Sequence, residues 1–163
     1  MAVDTSIIGA PTGAFRVTVE RGPVQNFAAA LHDENPIYRR VDAARAAGLR
    51  DIPVPPTYPF IMGFWGTFED QPTDPTEGRN VMSEVMGQLF QKGGIVLHGE
   101  QEFVYLSDVC VGDVLLGEGH VTDIYEKESR GSTMTFLVME TVWRNEATRE
   151  PAVTTVFNLI HRV

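Results

Sequence analysis

Apolar and polar positions alternate along Phe15-Arg-Val-Thr-Val-Glu20, which predicts a strand over those residues. Arg21-Gly22-Pro23 interrupts the alternation. From Val24 the spacing changes: Val24, Phe27, Ala28 and Leu31 fall on one face of a helix opened by Pro23. A polar segment, His32 to Tyr38, follows and centres on Asn35-Pro36. Proline excludes helical geometry from the residue before it, so residues 33–41 read as an irregular overhanging loop that leads into a short helix. That helix covers Val41 to Ala47 and stops at Gly48. The proline-dense stretch Ile52–Phe60 predicts the entry to a third helix. Thr57 is its expected N-cap, Pro59 lies in its first turn, and Phe60, Ile61, Phe64 and Trp65 make it apolar on nearly every side. Residues 66–79, with Gly66, Pro72, Pro75 and Gly78, read as a loop insertion. Apolar pairs then recur every four positions from Val81 to Phe90, a helical stripe that Gly93-Gly94 ends.

Beyond Gly94 the period becomes that of strands. Val96–Leu106, Val114–Glu128, Ser132–Asn145 and Val153–Val163 are rich in β-branched and aromatic residues, with turns at Gly112-Asp113, 129–131 and 146–151. The order is one strand, then helices, then four long strands joined by short turns. An α+β fold accounts for it: a single hot-dog domain, in which a curved antiparallel sheet wraps a long central apolar helix. The length of 163 residues suits one domain spanning the whole chain, with residues 1–13 as an N-terminal extension.

Composition narrows the function classes. A formal net charge of −9 argues against a general nucleic-acid binder and against adhesion to anionic lipid. No apolar run reaches membrane-span length, and the first residues carry an early acid with no basic flank, so neither a spanning helix nor a secretory leader is expected. The single cysteine, Cys110, lies between two valines and reads as a small buried thiol; with no disulfide possible within the chain, a cytoplasmic home fits. Four scattered histidines give no zinc-ligand spacing, so no metal is expected. No glycine-rich phosphate loop is present either, because Gly93-Gly94 lacks the required spacing and ending. Cations concentrate in one place. Arg39, Arg40, Arg45 and Arg50 form either a solvated face, partly neutralised by Asp42 and Asp51, or a cradle for a phosphorylated ligand.

The segment Asp33-Glu-Asn35-Pro36-Ile37-Tyr38, placed just after a helix, resembles the D-x-N-P-[apolar]-H motif of the MaoC-like hydratase/dehydratase family. It fills the first five places and puts Tyr38 where that family has its catalytic histidine. The stretch Val41–Gly48, the proline-rich helix entry and Leu97-His-Gly-Glu-Gln-Glu-Phe103 extend the likeness, specifically to the N-terminal type of MaoC domain, from about Phe15 to Val163. The resemblance implies (R)-specific hydration of 2-enoyl thioesters, or the reverse dehydration. It implies Asp33 and Tyr38 at the reacting water, with Asn35 in the site as the residue that fixes the loop, and backbone donors near Pro56, Thr57 and Tyr58 at the thioester carbonyl. Arg39 and Arg40 would contact the phosphates of coenzyme A or an acyl carrier. No cofactor is implied, and water is a substrate.

Water addition needs a base, an acid and donors for the developing enolate oxygen. A phenol, with a reference pKa near 10, replaces imidazole poorly as the base. The family contains an answer: an incomplete hot-dog domain paired with one that carries the whole motif. A homodimer or a heterodimer with a second hot-dog subunit is therefore expected. Whether the chain is an enzyme by itself stays open at this point. A non-catalytic acyl-thioester binding or scaffolding module is the second reading. A hot-dog thioesterase is the third, although the run Phe60–Trp65 supplies no carboxylate for it. Glu34 is expected to be solvated, and His32, His98, His120 and His161 to be structural.

Overall fold

A computed structural model of the protein describes residues 4–63, 81–129 and 131–163. Five strands form one antiparallel sheet. They are β1 (Pro11–Thr18), β2 (Ile95–Tyr105), β3 (Val114–Ser129), β4 (Ser132–Asn145) and β5 (Pro151–Arg162), in the spatial order β1-β3-β4-β5-β2. The helices are α1 (Arg21–Ala30), α2 (Val41–Ala46), α3 (Pro59–Met62) and α4 (Val81–Gln91). The fold is α+β, with the hot-dog arrangement of sheet around helix.

The first strand begins at Pro11, before the expected Phe15. Pro11 and Gly13 pair with His120 and Gly119 of β3, and just ahead of the strand Gly9 N–H donates to Val121 O and Val121 N–H to Ala10 O. Residues assigned to an N-terminal extension therefore belong partly to the sheet, and Ile7 packs against its core. The third helix also differs from expectation. Its N-cap is Tyr58 rather than Thr57, without a side-chain cap bond, and Pro59 stands in the first turn, where its missing N–H costs nothing. Of the apolar helix expected to run to Trp65, the described part is Pro59–Met62. Phe64, Trp65 and the expected loop insertion 66–79 lie outside the described residues.

Strand register explains where the core sits. Phe15, Gly117, Trp143 and Val153 are consecutive partners across β1, β3, β4 and β5, so they share one face. Two residues along, Gly13, Gly119, Thr141 and Thr155 form the next row, and Val121, Met139 and Phe157 the one after it. The helices cover this face. One cluster joins Val17, Val24, Ile52, Tyr58, Met62, Leu115, Trp143 and Val153; a second joins Val81, Val85 and Leu89 of α4 to Val121, Ile124, Leu137 and Leu159. The buried positions of α4 recur every four residues, as the stripe in the sequence requires. Between the two clusters runs the row of glycines and threonines.

Candidate functional site

The motif segment is held by its own backbone chemistry. Asp33 Oδ1 accepts the Asn35 N–H at 2.9 Å, and Asn35 Oδ1 accepts the Ile37 N–H at 3.2 Å, capping a 3-10 turn over Pro36–Tyr38. Short polar side chains that bond two residues ahead fold such a loop without outside help. Three hydrogen bonds then fasten it to α1. Asp33 N–H donates to Ala28 O at 2.9 Å, while Arg21 and Gln25 both donate to Arg39 O, at 2.9 and 3.1 Å. The Arg39 guanidinium closes the loop on Asp33 O at 3.0 Å.

Tyr38 is buried, whereas Asp33 is half-buried and Glu34 and Asn35 are exposed. Burial first, and the Asp33 charge second, push the Tyr38 phenol above its ordinary pKa. At neutral pH Tyr38 is a neutral hydroxyl, able to donate a hydrogen bond and unable to serve as the base. Tyr105 of β2 joins the group, although nothing in the sequence singled it out. Its hydroxyl donates to Pro56 O at 3.1 Å, and burial, with Tyr38 as the lesser cause, raises its pKa as well. Beside it Pro53, Val54, Pro56, Tyr105, Asp108 and Val109 line a cavity of about 200 Å³.

The proline segment thus meets Tyr105 at Pro56 and continues into α3. The Tyr58 side chain is buried with its ring edge-on to Phe27 at 5.5 Å, and its N–H donates to Pro55 O at 2.9 Å. Pro59 has no N–H. Thr57 is exposed, and no acceptor for its amide is found among the described residues. Of the backbone donors expected for a thioester carbonyl, Thr57 is thus the one not already committed.

The arginine cluster divides. Arg39 serves the loop, Arg40 pairs with Asp42, and Arg45 is exposed. Arg50 pairs with buried Asp113, which also accepts the Cys110 N–H at 2.8 Å. Asp51 accepts the N–H of Ile52. Among the histidines, His161 is buried with Nε2 2.7 Å from Gly93 O. His98 is exposed and packs against Phe60 and Phe157, with ring centroids 5.0 and 4.7 Å away. No three of the described His, Cys, Asp and Glu residues are grouped to hold a metal ion, and no described helix is long and apolar enough to cross a membrane.

A second, larger cavity of about 310 Å³ lies over the glycine–threonine row, and sequence reasoning did not find it. Phe15, Phe60, Met139, Trp143 and Phe157 wall it, while Thr12, Thr141, Thr155 and Gln101 add polar atoms. Its sequence signal was the isolated glycines within strands, which mark close approach. A Cβ on Gly117 would come within 2.7 Å of the Trp143 ring, and one on Gly119 within 2.4 Å of Thr12 Oγ1.

Comparison with known proteins decides the family. A model of the FAS1-like dehydratase domain region matches residues 6–154. The chain belongs to that family. It is a MaoC-like hot-dog domain, in agreement with the resemblance carried by residues 33–38. A UPF0336 protein of Streptomyces avermitilis is 33% identical over 118 residues, covering 71% of this chain and 69% of the relative. Among solved structures, the ChsH1-ChsH2 complex of Mycobacterium tuberculosis superposes with a TM-score of 0.72 at 20% identity, covering 93% of this chain and 84% of that one. The truncated HadBC complex of the same organism, titled a 3R-hydroxyacyl-ACP dehydratase, gives 0.69 at 18% identity, covering 97% and 99%. At such identities these two likenesses establish the MaoC-like fold.

Proposed function

We propose that this MaoC-like domain is a subunit of an (R)-specific enoyl-thioester hydratase/dehydratase of the cytoplasm, acting on acyl-CoA or acyl-carrier thioesters of fatty-acid metabolism. It works beside a second hot-dog subunit that carries the histidine. The observation that carries the reading is Tyr38, buried and held neutral in the place of the motif histidine, next to a retained Asp33. In the hydration direction, water gives its oxygen to the β-carbon and a proton reaches the α-carbon. Asp33 orients or deprotonates the water, and the Tyr38 hydroxyl donates to it. The Thr57 amide stabilises the thioester oxygen as charge develops there. Arg39 and Arg40 lie on the exposed rim for the phosphates, with Arg40 exchanging Asp42 for the ligand.

Two further features support a partner. β2 is a sheet edge, bonded to β5 on one side, and Leu97, Val104, Tyr105 and Leu106 expose apolar surface along it. The neighbours named as ChsH1-ChsH2 and HadBC are complexes. A second reading, a non-catalytic thioester-binding module, draws on the fact that the Asp33 carboxylate is already engaged by Asn35 N–H.

Loss of the conjugated-enoyl absorbance of short and long 2-enoyl-CoA thioesters tests the proposal. The chain alone is expected to be silent, Tyr38→His to gain turnover, and Asp33→Asn in the Tyr38→His background to remove that gain. If wild type alone turns over and Asp33→Asn abolishes it, the partner is superfluous. If Tyr38→His stays silent, the binding-module reading replaces this one.

A further inference from the structure

Residues 55–58 form a β-turn, closed by the Tyr58 N–H on Pro55 O at 2.9 Å. That bond uses the outer residues and leaves both ends of the central peptide, Pro56 O and Thr57 N–H, to other partners. Pro56 O accepts the Tyr105 hydroxyl at 3.1 Å. Thr57 is exposed, and its amide has no acceptor among the described residues. A trans peptide points its C=O and N–H in opposite directions. One peptide group therefore carries a bond to Tyr105 on one edge and, on the other, the donor proposed for the thioester oxygen.

The frame around this peptide is fixed. Val54 N–H donates to Val109 O and Val111 N–H to Ile52 O, on either side of the Pro53–Cys110 bridge. Tyr105 stands opposite Val153 of β5, and the next amide, of Leu106, is held by Ala152 O at 2.8 Å. The peptide itself has a choice. Proline fixes φ at Pro56 but not the rotation of the peptide that follows it. Turns of types I and II differ by a half-rotation of the central peptide, and type II needs positive φ at the third residue. Among the described residues the positive φ values outside glycine belong to His32 and Arg149, so Thr57 has negative φ and the turn is not type II. Rotation would break the Tyr105 bond and carry the Thr57 N–H to the opposite side. A carbonyl that accepts a hydrogen bond also makes its own amide a stronger donor. Burial keeps the Tyr105 phenol protonated at neutral pH, so it remains available to donate.

We infer that Tyr105 is a positioning residue: it clamps the Pro56 carbonyl and so holds the Thr57 N–H toward the thioester oxygen. The inference rests on the proposed binding of acyl thioesters and deepens it, by making a side chain of the edge strand β2 responsible for a backbone donor.

The test compares wild type with Tyr105→Phe, which removes one oxygen and keeps the ring. Heteronuclear NMR follows the Thr57 amide in the full chain. The Tyr58 amide, whose bond to Pro55 O does not involve Tyr105, checks that the turn is intact. Probes are hexanoyl-CoA, isotopically labelled at the carbonyl carbon, and hexyl-CoA, the thioether with a methylene in place of that carbonyl. In Tyr105→Phe the Thr57 signal is expected to shift and to gain relaxation dispersion as the peptide starts to rotate. Wild type should prefer the thioester to the thioether, and the variant should lose about fivefold of that preference, the share of one hydrogen bond. The carbonyl stretch of bound hexanoyl-CoA, read by infrared difference spectroscopy, should lie lower in wild type than in the variant. A Thr57 signal that the substitution leaves in place overturns the inference, and so do a preference and a stretch equal in the two proteins. As long as hexanoyl-CoA binds, the thioester reading survives either result. If the Thr57 signal moves but neither probe binds, the clamp stands and the thioester reading falls. A still signal with no binding overturns both.

Discussion

Glu146 receives both Nε and an Nη of the Arg16 guanidinium, at 2.9 and 3.0 Å, and so ties β1 to the turn between β4 and β5. The pairing holds the carboxyl below its ordinary value of 4.5. A depressed carboxyl contributes stability that is complete above the unfolded-state pKa and is lost as pH falls through the lower folded-state value. Glu146→Gln is therefore expected to lower the thermal midpoint near neutrality, with the gap to wild type closing in acid. Melting curves from pH 7 down to about pH 2.5 check this; a gap that stays constant would assign the loss to shape rather than charge. Single residues were legible unevenly. Asp33 and Asn35 were legible because their side-chain bonds each reach only two residues along the chain, and the motif carries Tyr38 with them. Tyr105 and Asp113 were not, since their partners, Pro56 and Arg50, are brought to them only by the packed fold.

At the scale of elements, the joint between α4 and β2 turns on two adjacent glycines that do different work. Both have positive φ, at 72° and 82°. A Cβ on Gly93 would meet open space, whereas one on Gly94 would stand 2.2 Å from the Arg162 carbonyl oxygen. Gly93→Ala should cost about 1 kcal/mol, the strain of an alanine in left-handed backbone. Gly94→Ala should cost about 3 kcal/mol, because the clash adds to the strain. Urea midpoints of the two variants settle the order, and equal losses would contradict it. The elements themselves were readable where one periodicity persists, as in α4 and the four C-terminal strands. Boundaries failed where long-range bonds set them: β1 starts at Pro11 because β3 extends it, and Tyr58 displaces Thr57 at the start of α3 because Pro55 O captures its amide. The row of small residues under the cavity is visible only once register aligns Gly13, Gly119, Thr141 and Thr155.

Across the whole molecule, two apolar clusters share one sheet face, and the larger cavity lies over the row of small residues between them. The sequence disclosed the sheet and its helical filling; it did not disclose this division, which depends on which side chains meet after folding. The chain's only cysteine stands between Val109 and Val111, both of which pack in the first cluster. Cys110 is fully buried, its N–H is bonded to Asp113, it makes an isolated antiparallel bridge with Pro53, and burial raises its thiol pKa. Asp113 meanwhile holds Arg50 and, at 3.3 Å, Asn145. A thiol sealed in this way acts as a chemical clock: a disulfide reagent reaches it only during excursions in which the first cluster comes apart. Labelling should be slow and single-exponential in native buffer. Asp113→Ala, which removes bonds to a charged acceptor, should quicken it about ten- to a hundredfold. Immediate labelling of the native chain would place the thiol outside that seal. The same reagent, applied with and without an acyl thioester, then times how often the cluster beside the cavity opens and how far an occupant delays it.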